Sequence, residues 1–167
     1  MITETEENRY AELQQIALDA ARNGDLDTLT PMVQAGLPVE LKDEKGNSLL
    51  MLAAYHGELQ TVRMLVAAGA DPDARNDRQQ TPLAGVAFKG HLEVAKLLVD
   101  LGADANADQG GGRTPVMFAA MFGHHAMVDF LESRIHSANS SRIWGMKVET
   151  LVRFTKGVRR LFRLQAA

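Results

Sequence analysis

GNSLLMLAAYHGELQTVRMLVAAGADPDA, residues 46–74, reads as two short helices joined by a glycine and closed by a second glycine. Ser48 places a hydroxyl ahead of the apolar run Leu49 to Ala54, Gly57 ends that run, and a second amphipathic stretch reaches Gly69. The glycines extend the pattern over the chain. Gly24, Gly57, Gly90 and Gly123 are spaced by 33 residues, and Gly36, Gly69 and Gly102 repeat at the same interval. A constant period of this length marks a stacked repeat in which each element buries its apolar face against a neighbour.

Other positions keep the register. Between the two glycines of a period the apolar residues fall at helical spacing, as in Leu92, Val94, Ala95, Leu97, Leu98 and Val99. Ala20, Ala53, Val86 and Ala119 align, as do Ala21, Ala54, Ala87 and Ala120, so small residues stand where helices must approach closely. Ser48, Thr81 and Thr114 share one position, with Pro82 and Pro115 following two of them. A hydroxyl that caps free N–H groups, with proline at the first helical residue, predicts a helix start. Each glycine predicts a left-handed helix end.

With QQTPLAGVAFKGHLEVAKLLVDLGADANA (79–107) and GRTPVMFAAMFGHHAMVDFLE (112–132), the opening stretch resembles the ankyrin repeat family over roughly residues 10–135. The TP start, the paired alanines, the internal GH and the terminal GAD all fall in register. The family's usual histidine after TPL is replaced by Met51, Ala84 and Met117, and Leu49 stands where two other repeats have proline. The resemblance implies an all-α ankyrin-repeat solenoid of helix-turn-helix units with short hairpin loops, its repeats at about 10–43, 44–76, 77–109 and 110–135. An acidic N-terminal segment, 1–9, precedes it. A linker, 136–142, leads to a basic amphipathic C-terminal helix over 143–167.

The 167 residues are 46% hydrophobic but only 5% aromatic, which fits an aliphatic core of many small contacts. There is no cysteine, so disulfides and thiolate metal sites are excluded. The acidic start carries no apolar stretch of the secretory kind, and no run is long enough to cross a bilayer, so a cytoplasmic location is expected. The net charge of −3 conceals a division. Residues 1–135 hold 11 basic against 20 acidic side chains, and residues 136–167 hold 7 against 1.

In the tail, Arg153, Lys156, Arg160 and Arg163 fall on one arc of a helix, while Trp144, Leu151 and Phe162 belong to an apolar arc. Three readings stand together: a cap over the last repeat, a helix on an anionic membrane surface, or a helix in a partner's groove. The acidic body argues against nucleic acid as the partner.

Recognition in proteins similar to this one uses hairpin tips and the inner-helix positions ahead of the mid-repeat glycine. The resemblance therefore implies a concave protein-binding face. Its inner-helix candidates are Arg22, Tyr55, His56, Phe88, Lys89, Met121 and Phe122. Its hairpin candidates are Glu44, Lys45, Asn47, Asp77, Arg78, Gln80 and Arg113. Tyr55, Phe88 and Phe122 are either aromatic anchors for a partner or rings that pack on one another for stability. His56 on this face would make affinity pH-sensitive.

Catalysis is not expected. The five histidines assemble no acid/base site, and the resemblance gives His91 and His124 structural roles. Adjacent His124 and His125 point about 100° apart on a helix and cannot chelate one ion as an i, i+4 pair would. Gly110, Gly111 and Gly112 lengthen a hairpin without the strand and helix that a phosphate loop needs. No metal, cofactor or small-molecule substrate is implied. Compact bacterial members of the family can mask an enzyme as inhibitors or immunity proteins. A protein-binding module of that sort, with a peripheral membrane adaptor as the alternative, is the functional expectation.

Overall fold

The structure, a computed structural model, describes residues 4–135 and the pairs 142–143 and 146–147. Among them are eight helices: α1 (Glu4–Asn23), α2 (Leu26–Gln34), α3 (Leu49–His56), α4 (Leu59–Ala67), α5 (Pro82–Lys89), α6 (Leu92–Asp100), α7 (Pro115–Met121) and α8 (His125–Arg134). The chain divides into two compact units, Met1–Pro82 and Leu83–Ala167.

In the first unit α1 packs on α2 and α3, α3 packs on α4, and α2 touches α4, so inner and outer helices form two layers. The aligned small residues explain the closeness of the inner layer: Ala20 and Ala21 of α1 and Ala53 and Ala54 of α3 are buried. Leu49 to Ala54 are buried throughout, because α3 is covered on more than one side and has no solvent face along this run. Helix α1 begins at Glu4, six residues before the repeat boundary expected at residue 10.

In the second unit α7 packs on α8 and α6 on α8. Val86, Ala87, Ala119 and Ala120 are fully buried, as the period requires, and Val94, Ala95, Leu97 and Leu98 form the inward face of α6.

The helix boundaries follow local chemistry. Ser48 Oγ accepts a hydrogen bond from Met51 N at 3.2 Å, the expected cap. Thr114 occupies the equivalent position ahead of Pro115 but makes no side-chain cap bond; its carbonyl accepts from Met117 N at 3.0 Å instead. Gly57 ends α3 in the left-handed region at φ 87°.

Gly90 combines two requirements. Its φ is +82°, and a Cβ there would lie 2.6 Å from Nδ1 of His124, whose Nε2–H donates to Phe88 O at 3.0 Å. Gly102, at φ +103°, has open space around the same position. Gly102→Ala is therefore expected to cost only the left-handed backbone strain, about 1–2 kcal/mol. Gly90→Ala should cost measurably more in urea unfolding. Equal losses for the two would show that His124 yields without penalty.

Beyond α8, β1 (Arg142–Ile143) pairs antiparallel with β2 (Met146–Lys147), Ile143 opposite Met146. Ile143, Met146 and Lys147 therefore depart from the helix expected over 143–167, consistent with the poor helix propensity of the intervening Gly145. The rest of that helix, including Trp144, Leu151, Arg153, Lys156, Arg160, Phe162 and Arg163, lies outside the described residues.

Candidate functional site

The hairpin loops of the first unit are built by short polar side chains that bond their own backbone. Asp43 Oδ1 accepts from Lys45 N and Asn47 N, each at 2.9 Å. Asn76 Oδ1 accepts from Arg78 N and Gln80 N, each at 3.0 Å. Carboxamide and carboxylate do the same work here because both offer an acceptor three bonds from Cα.

These loops are also joined to one another. Arg22 Nη2 reaches Asp43 Oδ2 at 3.2 Å, and Asn47 Nδ2 donates to the same oxygen at 3.1 Å. Asn76 Nδ2 donates to Asn47 Oδ1 at 2.9 Å and lies 3.4 Å from Gln80 Oε1. Three expected partner-binding residues, Arg22, Asn47 and Gln80, are thus engaged in an internal ladder that holds the loops in place.

Burial would raise the pKa of Asp43. Hydrogen bonds from the Asn47 side chain and from the Asn47 and Lys45 N–H groups, with the charge of Arg22, outweigh it and hold the carboxyl below the ordinary range. A depressed folded-state pKa means that this contribution is present above the unfolded value of about 3.9 and is lost as pH falls through the folded one. Wild-type stability should therefore drop below about pH 4 more steeply than that of Asp43→Asn, which keeps an acceptor but no charge. Urea midpoints at neutral pH and near pH 3 would check this, and parallel profiles would refute it.

The candidates left at the tips of these loops, Glu44, Lys45, Asp77 and Arg78, are exposed. In the second unit the loop differs. Gln109 is the residue in register with Asn76, but Asp108 Oδ1 makes the bonds, to Gly110 N at 2.9 Å and Gly112 N at 3.0 Å. Gln109 is buried and its Nε2 donates to Ala107 O at 2.7 Å. Its longer side chain cannot close the tight ring that Asn76 closes, so the acceptor moves back one residue and the glycines take up the extra length. Arg113, expected to face a partner, donates through Nε to Gly110 O at 2.9 Å.

At the inner-helix ends, Tyr55 is 37% exposed, Phe88 36%, Met121 54% and Phe122 38%. In the first unit Tyr55 meets His56 edge-on, ring centroids 5.7 Å apart. In the second, Phe88 and Phe122 stack edge-to-face at 4.4 Å with Lys89 beside them in the chain. In this pair the rings pack on each other, and each keeps over a third of its surface in water. Met121 is the residue 33 positions after Phe88, while Phe122 is the C-cap of the shorter α7.

Sequence reasoning missed a further apolar surface. Tyr10, Leu13 and Ile16 on α1 are each about half exposed. Their i, i+3, i+6 spacing is a signal the sequence carries, but apolar spacing alone does not say whether a face is covered. Among the described residues no group of His, Asp and Glu could hold a metal ion. No helix among them is long and apolar enough to cross a membrane.

Comparison with known families matches residues 17–109 to a model of ankyrin repeats in three copies, and residues 111–140 to a model of the single ankyrin repeat. This chain belongs to the ankyrin repeat family. A comparison with curated proteins found no match. Ankyrin repeats are generally protein–protein interaction modules and typically non-catalytic, so the exposed inner-helix ends of this ankyrin protein acquire a functional context. His124, tied to Phe88 O beneath Gly90, has a structural partner in its own ankyrin framework.

Proposed function

We propose that this ankyrin protein binds a protein partner stoichiometrically, as an inhibitor or immunity-type protein that occludes its target, and catalyses no reaction of its own. The observation that carries the reading is the cluster of Phe88, Met121 and Phe122 at the ends of α5 and α7, apolar and more than one-third exposed beside Lys89. Solvent-exposed aromatic side chains held rigid by mutual packing lose little entropy on burial, which is the property of interface anchors. Tyr55 and His56, which meet edge-on, and the exposed charged tips Glu44, Lys45, Asp77 and Arg78 are the corresponding candidates of the first unit.

Met121→Ala removes apolar surface that is mostly outside the core. Loss of a hot-spot side chain costs about 2 kcal/mol or more, so retention of the partner should fall by about 30-fold. The melting temperature should move by no more than a few degrees. Affinity capture from host lysate with the wild type and with the Met121→Ala and Phe88→Ala variants tests this. Undiminished capture of the same protein by both variants would overturn the assignment of the site.

A further inference from the structure

Where α8 ends, the second unit has a groove of about 490 Å³. Val99 at the end of α6, Ala103 and Ala105 in the following loop, and Ile135 just past α8 supply apolar walls, and Asp104 and Asn106 supply a carboxylate and a carboxamide. Arg134 forms part of the lining, held by Asp100 at 3.5 Å and by the ring of Phe130, 5.2 Å from its guanidinium carbon. The lining is thus braced by contacts inside the unit.

Two observations name the occupant. Ile135 lines the groove, and the chain continues from it for 32 residues, so any apolar side chain shortly downstream is present at high effective concentration. Residues 99–135 carry five carboxylates against two arginines, whereas residues 136–167 carry seven basic side chains against one acidic. Trp144, the chain's only tryptophan, comes nine residues after Ile135, within reach at about 3.3–3.6 Å per extended residue.

We propose that this groove is the seat of the chain's own C-terminal segment, residues 143–164, with Trp144 entering it. Seated there, the basic segment covers the apolar walls at the end of the last repeat and offsets the carboxylates around them. The groove's lining includes none of Phe88, Met121 and Phe122, so the seat stands or falls independently of the proposed partner site.

Because Trp144 is the only tryptophan, its emission reports the seat directly. The 167-residue chain should show blue-shifted emission and several-fold weaker acrylamide quenching than the same chain in denaturant, independent of protein concentration. Val99→Lys, which puts a cation in the groove, and the milder Ile135→Ser should each restore quenching, with helical circular dichroism retained in at least the second. Quenching of the wild type at the denatured level would overturn the proposal. So would protection that survives both substitutions. Protection lost on dilution or in Leu13→Glu would place the tryptophan on α1 of a second copy, and would overturn it equally.

Discussion

Leu98→Ala should lower the unfolding free energy by about 3 kcal/mol, among the largest effects of any single truncation in this chain. Leu98 is fully buried on the face of α6 that also carries Val94, Ala95 and Leu97. Truncation removes most of the side chain's transfer free energy and leaves a cavity that helices on a repeating backbone cannot collapse around without losing register. Leu101, three residues on and only half-buried as the C-cap of α6, provides the comparison. Its alanine variant should cost about 1 kcal/mol. The two are distinguished by urea denaturation followed by circular dichroism. A Leu98→Ala loss no greater than that of Leu101→Ala would mean that α6 does not bury this face as tightly as its geometry indicates.

Asn76→Ala is expected to cost about 2–3 kcal/mol, because one buried side chain holds two backbone N–H groups and the Asn47 amide oxygen. Asn76→Asp separates these roles. It keeps the acceptor for Arg78 N and Gln80 N but replaces the donor to Asn47 Oδ1 with a second acceptor, setting two oxygens 2.9 Å apart unless they move. Asn76→Asp should therefore be clearly less stable than wild type at neutral pH and recover part of the difference in the double variant Asn47→Ser/Asn76→Asp. A fully stable Asn76→Asp would show that the loops are held by backbone geometry alone and that the ladder from Arg22 to Gln80 is incidental.

The ladder also illustrates how much of a polar side chain's surroundings spacing leaves undecided. Arg22, Asn47 and Gln80 are polar and lie at positions expected from the sequence to face a partner. Spacing cannot tell whether such a side chain faces a partner or a neighbouring loop 29 residues away, as Asn47 and Asn76 do. Gln109 and Asp108 show the same limit: the period puts Gln109 in register with Asn76, but side-chain length decides which residue can close the turn.

The helical repeat, its period, the buried alanine pairs and the places where helices stop were all legible in the linear chain. They rest on local causes: which residues tolerate left-handed backbone, which cap a helix and which are small enough for close packing. The partnerships of the polar side chains, the exposed stripe of Tyr10, Leu13 and Ile16, the edge-to-face contact of Phe88 with Phe122 and the groove beside Ile135 were not. Each depends on residues far apart in sequence arriving within a few ångströms, or on which face of a helix its neighbours leave exposed. Those are properties of packing in three dimensions, and a one-dimensional period carries no record of them.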